Sequence, residues 1–200
     1  MDKGVLLIAC GALARELVEL SRANGWEHIR IQCLPAELHN TPADIPAAVA
    51  GMIEKYRDDY RHIFVAYADC GTGGALDRVL ETYGVSRIPG AHCYEFYAGP
   101  EAFAALHDAE PGTFYLTDFL VRHFERLVVE GLGLDAHPEL LPQYFGNYRR
   151  VVYLAQTDSP QLTAAAETAA AYLGLEFEKR VTGLEPVQDI IEEHVVQWQS

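Results

Sequence analysis

The chain has 200 residues and a mass of 22.2 kDa, within the reach of one domain. Half of the residues are hydrophobic and 22% are charged, an ordinary globular composition that excludes a disordered or collagen-like chain. The net charge is −14, and only Arg149–Arg150 and Lys179–Arg180 pair basic residues, so the clustered basic face that nucleic acid or an anionic membrane requires is absent.

Residues 4–10 (GVLLIAC) form a continuous apolar run, as expected of a strand covered on both faces. They are far shorter than the ~18 residues of a membrane span, and no basic leader or small-residue cleavage site accompanies them. The sequence therefore predicts a cytoplasmic protein, in which thiols stay reduced. Leu13, Leu17 and Leu20 then recur at helical spacing over 12–23. Ile29, Ile31 and Cys33 alternate with Arg30 and Gln32 in a second strand that ends at Leu34–Pro35. His39-Asn40-Thr41-Pro42 opens a helix whose stripe is Ile45, Val49, Met52, Ile53, Tyr56 and Tyr60. Asn40 or Thr41 is placed to cap it and Pro42 suits the first turn. Residues 62–68 (HIFVAYA) are a third strand, closed by Asp69-Cys70-Gly71-Thr72-Gly73-Gly74, and residues 75–83 a helix.

A short fourth strand is predicted near 85–88, followed by a loop through residue 99 and a short helix over 100–107. Residues 113–116 are a fifth strand, and 119–130 are amphipathic. Residues 131–149, rich in Gly, Pro and His at their start and in aromatic side chains near Tyr144, read as an insertion within one domain spanning 1–200. Residues 150–155 (RVVYLA) are a sixth strand, 160–173 an Ala-rich helix, 175–181 a last strand and 185–199 a closing helix. Strands alternating with helices predict an α/β fold with a doubly wound, mostly parallel sheet, flavodoxin- or Rossmann-like, and helices on both faces. In such a sheet, ligands bind where the loops leave the carboxyl ends of the strands.

The four cysteines fall on that rim. Cys10 ends strand one, Cys33 strand two and Cys70 strand three, and Cys93 follows strand four. In the strand order 2-1-3-4-5, strands one and three are neighbours ~4.8 Å apart, so Cys10 and Cys70 converge across 60 residues of sequence and Cys93 folds over from the next strand. Three thiolates at one crevice suit zinc or an iron–sulfur cluster. Any one of these cysteines is equally well a small buried hydrophobe, which is the preferred reading of Cys33. No Cys-x-x-Cys pair is present, so the metal assignment rests on topology.

The turn Gly71-Thr72-Gly73-Gly74 enters a helix and offers backbone amides to a small anion. The same surroundings favour thiolate at Cys70, which also makes Cys70 a candidate nucleophile. The turn matches neither a P-loop nor the dinucleotide fingerprint. His39, His92 and Glu95 lie near the rim, each a fourth ligand or a proton carrier, with His39 and Glu95 assigned the catalytic part. Thr117–Asp118 and Gln156-Thr157-Asp158 end strands five and six. They are placed either to touch a substrate or to cap the helices that follow, with Ser159 a further cap candidate.

Cys10-Gly11-Ala12-Leu13-Ala14, Leu34–Pro35, Leu38-His39-Asn40, Asp69-Cys70-Gly71-Thr72-Gly73-Gly74, His92-Cys93-Tyr94-Glu95-Phe96-Tyr97-Ala98-Gly99, Thr117-Asp118-Phe119-Leu120 and Tyr144-Phe145-Gly146-Asn147-Tyr148 together resemble a domain family of unknown function. Its members occur in methanogens and bacteria, often encoded beside corrinoid-dependent methyltransferases. The resemblance implies a partner of that kind, a methyltransferase or corrinoid protein, but no activity. The residues themselves lead to a metal-binding protein with Cys10, Cys70 and Cys93 as ligands. An open fourth position would serve methyl transfer to or from a thiol or a corrinoid, with a small-molecule substrate. The alternative is a metal-free accessory protein that binds a small anion at residues 71–74 and uses its cysteines for packing. The aromatic stretch within 131–148 is the place to look for a partner or a second copy.

Overall fold

The computed structural model describes residues 4–194. The fold is α/β, with parallel strands and flanking helices as the alternation predicts, but the seven strands divide between two sheets. The chain packs as two compact units. Among the described residues, one comprises residues 4–93 and 187–194, the other residues 94–186.

In the first unit, β1 (Val5–Cys10) runs between β2 (Ile29–Leu34) and β3 (His62–Ala66), and the short β4 (Ser86–Arg87) lies beyond β3. All pairings are parallel, with Val5 opposite Ile29 on one side and His62 on the other. The order β2-β1-β3-β4 is thus the first part of the predicted 2-1-3-4-5 order. All six residues of β1 are buried, which explains why its sequence is apolar throughout: a central parallel strand is covered on both faces. The edge strand β2 buries only its ends, Ile29 and Leu34, and leaves Arg30 and Cys33 exposed, so Cys33 is not the small buried hydrophobe expected of it: an edge strand is not covered on both faces. The sheet stops at β4, where Pro89 removes a ladder donor just after the two paired residues.

Helix α1 (Ala14–Asn24) buries Leu17 and Leu20, and α2 (Ile45–Tyr56) buries Ile45, Val49 and Ile53, the expected stripes. Helix α2 starts later than the motif at Pro42 predicts. Two 3-10 turns, Ala36–Asn40 and Pro42–Asp44, intervene, and Thr41 does not cap the second with its side chain. Helix α3 is Ala75–Tyr83.

The second unit opens with α4 (Tyr94–Ala98) and α5 (Pro100–Ala109) and holds a parallel sheet ordered β5 (Thr113–Thr117), β6 (Arg150–Ala155), β7 (Glu176–Val181). The central strand β6 is the apolar one. The edge strand β7 (EFEKRV) carries charges that discourage pairing with another chain. The amphipathic stretch 119–130 is not one helix: α6 (Asp118–Arg122) ends early and a π-helical turn, Glu125–Glu130, follows. Within 131–149 the chain forms a 3-10 turn and α7 (Leu141–Phe145), and Leu134 and Phe145 join the core built on β6. Helix α8 (Pro160–Leu173) lies on that core through Ala166, Ala169, Ala170 and Leu173. Thr117 and Ser159 do cap, accepting from the Leu120 and Leu162 amides at 3.3 Å. Helix α9 (Glu185–His194) closes the described chain, and the predicted continuation to 199 lies outside the described residues. Among the described residues no helix is long and apolar enough to cross a membrane.

Candidate thiol site

Three cysteines of the first unit share one neighbourhood at the carboxyl edge of its sheet. Cys10 is the last residue of β1 and is buried. A glycine must follow it, because a Cβ on Gly11 would lie 2.9 Å from the Leu34 carbonyl oxygen. Cys70 leaves β3 through Tyr67, Ala68 and Asp69, and Cys93 follows β4; both residues are partly buried. The two loops are joined by backbone hydrogen bonds: the Asp69 and Cys70 amides donate to the Gly90 and Ala91 carbonyls at 3.1 and 2.9 Å. That ladder places the Cys70 and Cys93 Sγ atoms 2.7 Å apart.

The strain of the turn is concentrated at Cys70. It has a φ of 49°, the one positive φ at a non-glycine residue among those described, and Gly71, Gly73 and Gly74 follow in the same left-handed region. Asp69 holds this conformation. Its carboxylate accepts from the Thr72 hydroxyl at 2.7 Å and from the Gly73 and Gly74 amides at 3.0 and 2.8 Å. Two of the amides that the sequence offers to a small anion, those of Gly73 and Gly74, are thus engaged by the protein's own carboxylate, and the Thr72 amide by the Asp69 carbonyl.

Burial pulls the Asp69 carboxyl up. The Gly74, Thr72 and Gly73 donors, with Arg87 nearby, outweigh it and hold the group below its ordinary range. A depressed carboxyl stabilises the fold above its unfolded value of ~3.9, and that contribution is lost as pH falls through the lower folded value. The Gly73 and Gly74 amide resonances are therefore expected to titrate together, with a midpoint below ~3.9. A midpoint at or above that value would show that Asp69 does not hold the turn.

The thiols titrate apart. Cys70 is held below the ordinary thiol range, first by its hydrogen bond from Cys93 and then by backbone groups of Cys93 and Ala68, against desolvation. Cys93 is pushed well above that range, first by the same hydrogen bond and then by burial. Cys10 is pushed up to about 11, chiefly by burial, with Cys70 and Cys33 adding repulsion while the Ala12 backbone and the Tyr67 hydroxyl oppose it. Cys33 is exposed and touches this balance only through its charge. Tyr67, 2% exposed, has its hydroxyl buried without a well-formed hydrogen bond and faces the charges of Cys10, Cys93 and Cys70. The sequence gives no signal for Tyr67, an aromatic residue in an apolar strand. Asp69 could have been found, since an aspartate before Thr-Gly-Gly at a strand exit is a turn signature.

His39 lies in the 3-10 turn after β2. Desolvation first and the neighbouring His92 second lower its pKa, which favours the neutral, metal-binding imidazole. Glu95 lies on α4, the first helix of the second unit. Among the described residues, no three His, Cys, Asp or Glu side chains are already arranged to hold a metal ion. Two thiolates on one tetrahedral zinc sit about 3.8 Å apart, given bonds of ~2.3 Å, so metal uptake requires Cys70 and Cys93 to spread by side-chain rotation.

The pattern of one protein family, described as protein of unknown function (DUF1638), matches residues 33–191. No curated protein and no solved structure matches the chain.

Proposed function

We propose that this chain, which belongs to the DUF1638 family, is a metal-binding protein in which Cys10, Cys70 and Cys93 take up zinc or an iron–sulfur cluster. One observation supports the reading: the exits of three neighbouring strands bring Cys70 and Cys93 to 2.7 Å and set Cys10 near enough to feel the charge of both. Uncharged cysteine packing would not require this convergence, whereas zinc and iron–sulfur clusters are commonly held by several thiolates at one point. Gly11 on one side and the Asp69-stapled turn on the other fix the backbone that carries two of the donors. With three protein ligands a fourth position stays open. His39, and His92 beside it, are candidates to fill it at rest or to move a proton.

A zinc ion in such a site activates a bound thiol as thiolate. That chemistry suits methyl transfer to or from a thiol or a corrinoid, the association implied by the family resemblance.

The test is metal uptake by anaerobically purified, chelator-treated, reduced protein, followed by competition with a chromophoric chelator. One metal ion or one cluster per chain is expected. Cys10→Ser, Cys70→Ser and Cys93→Ser should each weaken binding by more than ~100-fold, while Cys33→Ser leaves it unchanged. A folded wild type that takes up neither zinc nor iron overturns the proposal.

A further inference from the structure

We propose that Cys70 and Cys93 are a redox-active dithiol that exchanges with low-molecular-weight disulfides of the glutathione class and closes to an intramolecular disulfide. The separation of 2.7 Å between their sulfurs is nearer to the ~2.05 Å of a disulfide than to the ~3.8 Å between two ligands of one zinc. The approach is built into the backbone. The 69–70 and 90–91 segments are already hydrogen-bonded to each other, and Asp69 pins the turn that carries Cys70. Closing the 23-residue separation therefore costs little further chain entropy, because folding has already brought the ends together. Both residues are partly exposed rather than sealed in the core, which leaves the pair at the edge of the unit where a small disulfide can approach.

The exchange balances in two steps. One thiolate of the pair attacks a sulfur of the small disulfide, forming a mixed disulfide and releasing the first small thiolate. The second cysteine gives up its proton, attacks the sulfur now bonded to its neighbour, and releases the second small thiolate. Two protein thiols are oxidised to one disulfide, one small disulfide is reduced to two thiols, and the protons end on the released thiols. The closed pair has no thiolate to offer a metal, so oxidation and metal binding at this site exclude each other. Neither chemistry requires the other.

The test uses chelator-treated, reduced full-length protein equilibrated over a series of ratios of reduced to oxidised glutathione. The protein is then alkylated and analysed by intact mass and peptide mapping. The expected result is a single transition in which the chain loses two hydrogens and the peptides of Cys70 and Cys93 become joined, with no glutathione adduct at either. Cys70→Ser and Cys93→Ser should instead trap a glutathione adduct on the remaining cysteine of the pair. Independent glutathione adducts on Cys70 and Cys93 of the wild type, or full alkylation of both at every ratio, overturn the proposal. Metal uptake is measured on a separate reduced sample. A joined pair without metal uptake defeats only the metal reading, and metal uptake without a joined pair defeats only the dithiol.

Discussion

Replacing Asp118 by alanine is expected to destabilise the second unit by about 2–3 kcal/mol, the range for losing hydrogen bonds to a buried carboxylate and leaving a buried donor unsatisfied. Asp118 is 1% exposed at the junction of β5 and α6. Its Oδ1 accepts from the Tyr153 hydroxyl at 2.7 Å and from the Gln156 amide at 3.1 Å, and its Oδ2 lies 3.6 Å from the Arg122 guanidinium. The Asp118 amide in turn donates to the Gln156 side-chain oxygen at 2.8 Å. These bonds tie the carboxyl end of β5 to that of β6. Alanine leaves the Tyr153 hydroxyl buried without its acceptor. Asp118→Asn keeps an oxygen for both donors and should cost only about 1–2 kcal/mol. Urea unfolding of both variants, with Tyr153→Phe completing a double-mutant cycle, measures the coupling. A loss below ~1 kcal/mol for alanine would show that the network does not hold the two strand ends together.

The second large effect is at alkaline pH. Chelator-treated protein should lose about 2–3 kcal/mol of stability between pH 9 and 11 through Cys10 alone, at ~1.36 kcal/mol per unit. The sign follows from burial. The Cys10 thiol ionises near 9 in the unfolded chain and near 11 in the fold, so the folded state binds the proton more tightly. Below pH 9 the thiol is protonated in both states and the contribution is complete. As pH rises through 11 it is lost. Tyr67 and Tyr153, raised chiefly by burial, act in the same direction. The quantity to measure is therefore the difference between wild type and Cys10→Ala in chemical unfolding across this window. Parallel curves would mean that Cys10 ionises as freely in the fold as outside it.

Much of the fold is legible in the residues. An all-apolar VLLIAC, short and followed by glycine, reads as a strand covered on both faces, and Leu17–Leu20 or Val49–Ile53 at helical spacing read as a face turned to a core. These are local periodicities, and burial acts on them directly. The division into two sheets was not legible, because it depends on where a strand such as Ser86–Arg87 stops accepting neighbours. The break of 119–130 into a short helix and a π-helical turn was hidden for the same reason, since packing overrides a continuous amphipathic pattern.

The candidate site divides in the same way. The chain itself determined that cysteines stand at the ends of strands and that glycines flank two of them, because residue type and strand ends are written in order along it. Tertiary structure alone decided that Cys70 pairs with Cys93, that Asp69 occupies the amides of its own turn, and that Tyr67 faces the thiols. It also turned Asp118 from a cap into a buried tie between two strands. The physical reason is distance. A sulfur or carboxylate interacts over a few ångströms, and only the folded backbone brings groups 23 or 35 residues apart within that range.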